Sequence, residues 1–93
     1  MENTISKEKL ERYFNVTEKA FTIVEENVFP NKENESKTIF DMVANYISDA
    51  HHFEQKGDWV NAFAALNYAH GWIDAGVRLE IFDVDDRDLF TVR

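Results

Sequence analysis

The chain contains no cysteine, so it has no disulfide, no thiolate nucleophile and no cysteine-ligated zinc. It holds one proline and three glycines, and of these Pro30 and Gly57 fall where helical periodicity changes phase, as connections do in an all-helical protein. No uninterrupted apolar run approaches the about 18 residues that span a bilayer, and the stretch Met1 to Lys9 is charged. Basic residues are also scarce: ten Lys and Arg against eighteen Asp and Glu leave a net charge of −8. That balance repels a phosphate backbone and an anionic lipid surface, so neither nucleic acid nor membrane is an expected partner, and the expected compartment is the cytoplasm. A glycine-rich phosphate loop, a nucleophile elbow and a basic patch interleaved with aromatics are all missing. No arginine is followed four to six residues later by histidine, which removes the usual signature of nucleases built on a helical hairpin.

What remains is one small domain of 93 residues, long enough to bury about 65% of its unfolded surface by area scaling. Its periodicity predicts three helices, over about 7–28, 36–56 and 59–82, and a tail over 83–93. Ser6 reads as the first N-cap, with Ile5 and Leu10 placed as a hydrophobic staple. Leu10, Phe14, Thr17, Phe21, Val24 and Val28 then repeat at three- and four-residue spacing, and Val16, Ala20 and Ile23 widen the stripe enough to touch two neighbours. Phe29-Pro30 ends the helix, because the residue before a proline is steered away from helical dihedrals. The second helix carries Ile39, Val43, Tyr46, Ile47, Ala50 and Phe53 inward. Gly57 closes it and Asp58 caps a third helix opening at Trp59. A link this short favours an antiparallel hairpin.

The third helix has two apolar faces. Trp59, Ala62, Phe63, Leu66, Ile73, Val77 and Ile81 form one, while Ala65, Tyr68, Trp72, Ala75 and Leu79 form another on the far side. One face suffices for a bundle, so the second, with Tyr68, Trp72 and Leu79 as its large members, is a candidate interface. Its expected cover is a second copy or the chain's own tail, which offers Phe82, Val84, Leu89, Phe90 and Val92. The expected fold is therefore an all-α antiparallel three-helix bundle with its C-terminal tail packed back or exchanged between chains.

The run Tyr46-Ile47-Ser48-Asp49-Ala50, the Gly57-Asp58 turn, the segment Tyr68-Ala69-His70-Gly71-Trp72-Ile73-Asp74-Ala75-Gly76 and the closing Phe82-Asp83-Val84 and Leu89-Phe90-Thr91-Val92 resemble the archaeal domain of unknown function family number 357. The resemblance covers about half the chain. It implies a small helical bundle of unassigned activity and supplies no catalytic residue.

Asn67, His70, Asp74 and Arg78 follow at spacings of three, four and four on the strip between the two apolar faces of helix 3. Asp74 is placed to orient His70 and to pair with Arg78, and with Tyr46 and Asp49 from the facing helix this makes a candidate ligand or proton-transfer site. The plainer reading is a solvated stripe of weak pairs. His51, His52, His70, Asp49 and Asp74 have metal-ligand chemistry, but His51 and His52 point about 100° apart and His52 lies roughly 9 Å from His70 along the hairpin, so no metal is expected. Glu8 with Glu11 and Glu80 with Asp83 have magnesium-like spacing at opposite ends of an up-down-up bundle. Asp83, Asp85, Asp86 and Asp88 lack the glycine and closing glutamate of a calcium loop. With no cofactor expected, the leading expectation is a noncatalytic interaction or assembly module, most simply a homodimer, with an unidentified protein partner also open. An enzyme or small-ligand binder centred on His70 and Asp74 is the alternative.

Overall fold

Ser6 starts the first helix as its spacing predicts. Its backbone is extended, and its Oγ accepts a hydrogen bond from the Lys9 N–H at 3.1 Å. That satisfies one of the donors a helix leaves open at its start. In the computed structural model, which describes residues 5–85, three helices follow: α1 (Lys7–Glu25), α2 (Glu33–Gln55) and α3 (Trp59–Arg78). Phe21 of α1 meets Phe40 of α2, while Phe14 meets His51. The pairing rises along one chain as it falls along the other, so the chain is an all-α antiparallel bundle. Both α1 and α2 pack mainly on α3 and little on each other.

The ends of the helices depart from the periodic reading, each for a local reason. α1 stops at Glu25 rather than at Val28. Asn27 turns its side chain back onto the Ile23 carbonyl at 2.8 Å, and Val28 leaves the helix to form an isolated antiparallel bridge with Phe82. Pro30 and Asn31 then sit at the centre of a turn closed by the Lys32 N–H and the Phe29 carbonyl at 3.2 Å. Asn31 takes φ 71°, a left-handed conformation that asparagine tolerates better than most residues. α2 begins at Glu33, three residues before Ser36. The polar segment looks like a loop, but Glu33 and Glu35 suit the positive end of the helix dipole. Ser36 is buried inside the first turn, where its hydroxyl donates to the Glu33 carbonyl at 2.8 Å.

α3 ends at Arg78, one turn short of Phe82. Glu80 takes φ 58°, the Ile81 N–H reaches the Gly76 carbonyl at 2.9 Å and the Glu80 N–H reaches that of Val77 at 3.1 Å. This pair of bonds is a Schellman cap with glutamate in the place usually held by glycine. Ile81 and Phe82 are buried all the same, at 6% and 1% exposure. The apolar spacing thus marked Ile81 as buried, while the chain reached that burial, and that of Phe82, by folding under the bundle. Hydrogen bonds from the Phe29 N–H to the Ile81 carbonyl, 2.9 Å, and from the Asp83 N–H to the Asn27 carbonyl, 2.7 Å, hold the fold-back. Val84 packs on the same cluster. Leu89, Phe90 and Val92 lie outside the described residues.

The Gly57-Asp58 hairpin matches its sequence reading. Gly57 has φ 78°, which only glycine adopts without strain, and the Asp58 carboxylate accepts from the Asn61 N–H at 3.2 Å. Buried side chains form two clusters along the bundle. One joins Leu10, Phe14, Ala50, Ala62 and Leu66 near the hairpin turn, and the other joins Val24, Ile39, Val43, Ile73, Val77 and Phe82 at the opposite end. Between them, on the α1 side of α3, lies the polar strip.

Candidate functional site

His70 projects from the middle of α3 towards α1. Its Nδ1 lies 3.4 Å from the Thr17 Oγ1, and its Nε2 lies 3.8 Å from an Asp74 carboxylate oxygen one turn along. Thr17 occupies a core position of α1 and is only 1% exposed. A hydroxyl buried so deeply needs a partner, and the imidazole supplies one across the helix pair. With Nδ1 accepting from Thr17, the ring hydrogen stands on Nε2 and faces Asp74 at a separation too long for a hydrogen bond. Tyr13, Val16, Asn67 and Gly71 complete a depression of about 230 Å³ around this group. Arg78 is exposed at the last position of α3.

Hydroxyl, imidazole and carboxylate in this order invite comparison with a catalytic triad, but the geometry opposes it. A nucleophile must present its oxygen to substrate, and the Thr17 hydroxyl is enclosed. The depression is also smaller than the roughly 300–1,000 Å³ typical of small-molecule sites. Tyr46, grouped with His70 in the sequence reading, stacks on Tyr68 with ring centroids 5.4 Å apart. Positions 68 and 70 point about 160° apart on a helix, so this stack stands on the other side of α3. Asp49 is exposed one turn farther along α2. The four-residue strip on α3 is therefore supported from α1 by Thr17, and the proposed contribution of α2 goes elsewhere.

The outer face of α3 differs from the rest of the surface. Among the described residues the large apolar side chains that stand exposed are Val60 at 48%, Tyr68 at 63% and Leu79 at 68%. At about 100° per residue all three fall within one face about 100° wide. Between them on that face are Ala64, Gly71 and Ala75, and Trp72 flanks it, half-buried. Asn67, Tyr68, Gly71, Trp72 and Ala75 line a shallow open depression of about 360 Å³ there.

A family model described as a protein of unknown function, DUF357, matches residues 12–82. The chain belongs to the DUF357 family. No curated protein and no solved structure matches it significantly. The stretch that defines this DUF357 member runs from the first turns of α1 to Phe82, the last residue at 1% exposure. It takes in the hairpin, the polar strip and the outer face of α3.

In the DUF357 chain the second apolar face inferred from sequence is rotated towards solvent. Ala65 is buried at 6%, and Ala64 and Trp72 are half-buried, while Val60 and Gly71 join Tyr68, Ala75 and Leu79 outside. The missed residues carry a signal of their own, for Val60, Ala64 and Gly71 stand four and seven residues apart and continue at four to Ala75, which the sequence reading places. His51 is a second feature that periodicity did not place. Its ring stacks on Phe14 at 4.4 Å, its Nε2 contacts a Glu18 carboxylate oxygen at 3.1 Å, and its Nδ1 stands 3.7 Å from Glu54. The contact clasps α1 to α2 beside an open groove lined by Phe21 and Ile47. Among the described residues no group of three or more His, Asp or Glu is arranged to hold a metal ion, and no helix is long and apolar enough to cross a membrane.

Proposed function

We propose that this protein is a noncatalytic interaction module of the cytoplasm that binds a protein partner through the outer face of α3. The observation that carries the reading is the gathering of Val60, Tyr68 and Leu79, the exposed large apolar groups of the described residues, on that single face. A three-helix bundle satisfies its core with the inward face alone, and scattered apolar exposure would be unremarkable. Alignment along one face is the signature of a surface that becomes buried, at about 25 cal/mol for each Å² removed from water. Tyrosine and tryptophan beside small residues also match the composition of interface cores. The reading centred on His70 and Asp74 has less support, because its depression is small and the Thr17 hydroxyl beside His70 is buried as part of the helix packing.

Affinity capture from the native organism, with wild type and Tyr68→Glu compared, tests the reading. A protein retained by wild type and lost by Tyr68→Glu is the expected result. Co-purification of a metabolite, or turnover of a substrate that His70→Ala abolishes and Tyr68→Glu leaves intact, would overturn it in favour of a ligand site.

A further inference from the structure

We infer that the partner of the outer α3 face is a second copy of this chain, packed antiparallel about a two-fold axis that seats Tyr68 of each copy on Gly71 of the other; the inference rests on the interaction reading above and names its occupant. The face is formed by Val60, Ala64, Tyr68, Gly71, Ala75 and Leu79, successively four, four, three, four and four residues apart. That series reads the same in both directions. Turned end over end about its midpoint, the helix places Val60 against Leu79, Ala64 against Ala75 and Tyr68 against Gly71. Large therefore meets large at the two ends, small meets small inside them, and at the centre the one aromatic ring meets the one position without a side chain. An isologous interface requires this self-complementarity, since each residue must face a counterpart on an identical surface.

The structure makes room for it. A Cβ at Gly71 would have no heavy atom within 4 Å, and the depression of about 360 Å³ around it is bounded by Tyr68, Trp72 and Ala75. Tyr68 is 63% exposed even with one ring face on Tyr46, so the side chain is held upright and available. Small residues at 64, 71 and 75 permit the close end of the roughly 8–10 Å range of helix separations. Charge agrees as well. A protein carrying −8 associates with itself most readily through ground without carboxylates, and this face has none: its six residues are neutral, and Asn61 and Arg78, which share the helical angles of Leu79 and Val60, stand at matching levels in the antiparallel pairing.

The face is about 28 Å long at about 1.5 Å per residue and about 10–12 Å wide. Its projected footprint of roughly 300 Å² on each copy, extended at the flank by Tyr46 and Trp72, falls below the about 1,200 Å² in total that stable specific interfaces bury, so the dimer is a weak and reversible one.

Sedimentation of the full chain from micromolar concentration to about 0.1 mM should show a reversible monomer–dimer equilibrium. Gly71→Leu should raise the dissociation constant at least about tenfold while keeping the monomer folded, because position 71 is open and leucine favours helix over glycine. Orientation is read with single cysteines in this cysteine-free chain. Ala64→Cys mixed with Ala75→Cys should form a disulfide between the two proteins. Either variant alone should not, since identical positions then lie about 16 Å apart along the axis against the about 7 Å limit between the Cα atoms of a disulfide. A monomer throughout that range, a Gly71→Leu protein that dimerises as well as wild type, or each cysteine variant linking to itself would each overturn the inference. A monomeric wild type that still captures another protein, with capture lost in Tyr68→Glu, would overturn the second copy while leaving the interaction reading standing.

Discussion

A methyl group added at position 76 should destabilise this protein, although the same change five residues earlier should stabilise it. Gly76 lies in the last turn of α3, against the fold-back. A Cβ built there meets Cε2 of Phe82, approaches its Cδ2 at 2.7 Å and reaches Cδ1 of Ile39 at 3.1 Å. Carbon atoms pack at about 3.5–4.0 Å, so the Phe82 ring must retreat by about 1 Å. It has no easy direction. The ring is 1% exposed and stacked on Phe40 at 5.6 Å with the planes 10° apart. The backbone on either side is pinned by bonds from Phe29 to Ile81 and from Asp83 to Asn27. Overpacking a core in this way costs about 1–3 kcal/mol. Against it stands the gain of replacing glycine by alanine inside a helix, about 0.8–1.0 kcal/mol. Gly71→Ala collects that gain with no collision, because nothing lies within 4 Å of its Cβ. The difference between the two variants therefore isolates the steric cost, and for a domain of this size each kcal/mol moves the melting temperature by about 4–8 °C. Thermal and urea unfolding at concentrations where the chain is monomeric supply the comparison. Equal stabilisation by Gly76→Ala and Gly71→Ala would refute the claim that Phe82 is locked against α3.

Two further expectations concern the joints between helices. Asp58→Ala should cost about 0.5–2 kcal/mol, since the carboxylate caps α3 through the Asn61 N–H at 3.2 Å and also holds the Asn61 side chain at 2.7 Å; an unchanged melting temperature would remove that cap from the account of the hairpin. A double-mutant cycle of Glu18→Gln with His51→Ala should yield a coupling of no more than about 1 kcal/mol, because both groups are nearly half exposed. Coupling well above that would mean that the clasp between α1 and α2 is not a solvated surface contact.

Phe82 also shows where sequence reasoning about the fold reached its limit. Ile73, Val77 and Ile81 recur at helical spacing, and that spacing marks all three as buried. It says nothing about the dihedrals of Glu80, which turn left-handed and send the chain beneath the bundle. At Ser36 the same ambiguity appears in reverse, for the periodicity opens the second helix at about this serine, which proves to be a buried member of a first turn that starts at Glu33. In the candidate site, the i,i+4 relation of His70 to Asp74 follows from helix geometry, and the contact is present at 3.8 Å. The hydroxyl that holds the imidazole belongs to Thr17, 53 residues away on a core stripe. No local pattern links those positions.

By itself the sequence determined the features that depend on neighbours a few residues apart. The caps at Ser6 and Asp58, the glycine turn between α2 and α3, and the inward stripes all follow from local geometry and from the cost of leaving apolar groups in water. Their sum is three helices that can pack only as an antiparallel bundle. Tertiary structure decided how far each helix is rotated about its own axis and which neighbour it meets. That rotation buries Ala65, divides Trp72 between bundle and surface, and leaves Val60, Tyr68 and Leu79 outside. A helix with apolar residues on two sides has no local preference for which side turns inward. The choice comes from fitting the side chains of α1 and α2 against it, a comparison between positions far apart in the chain.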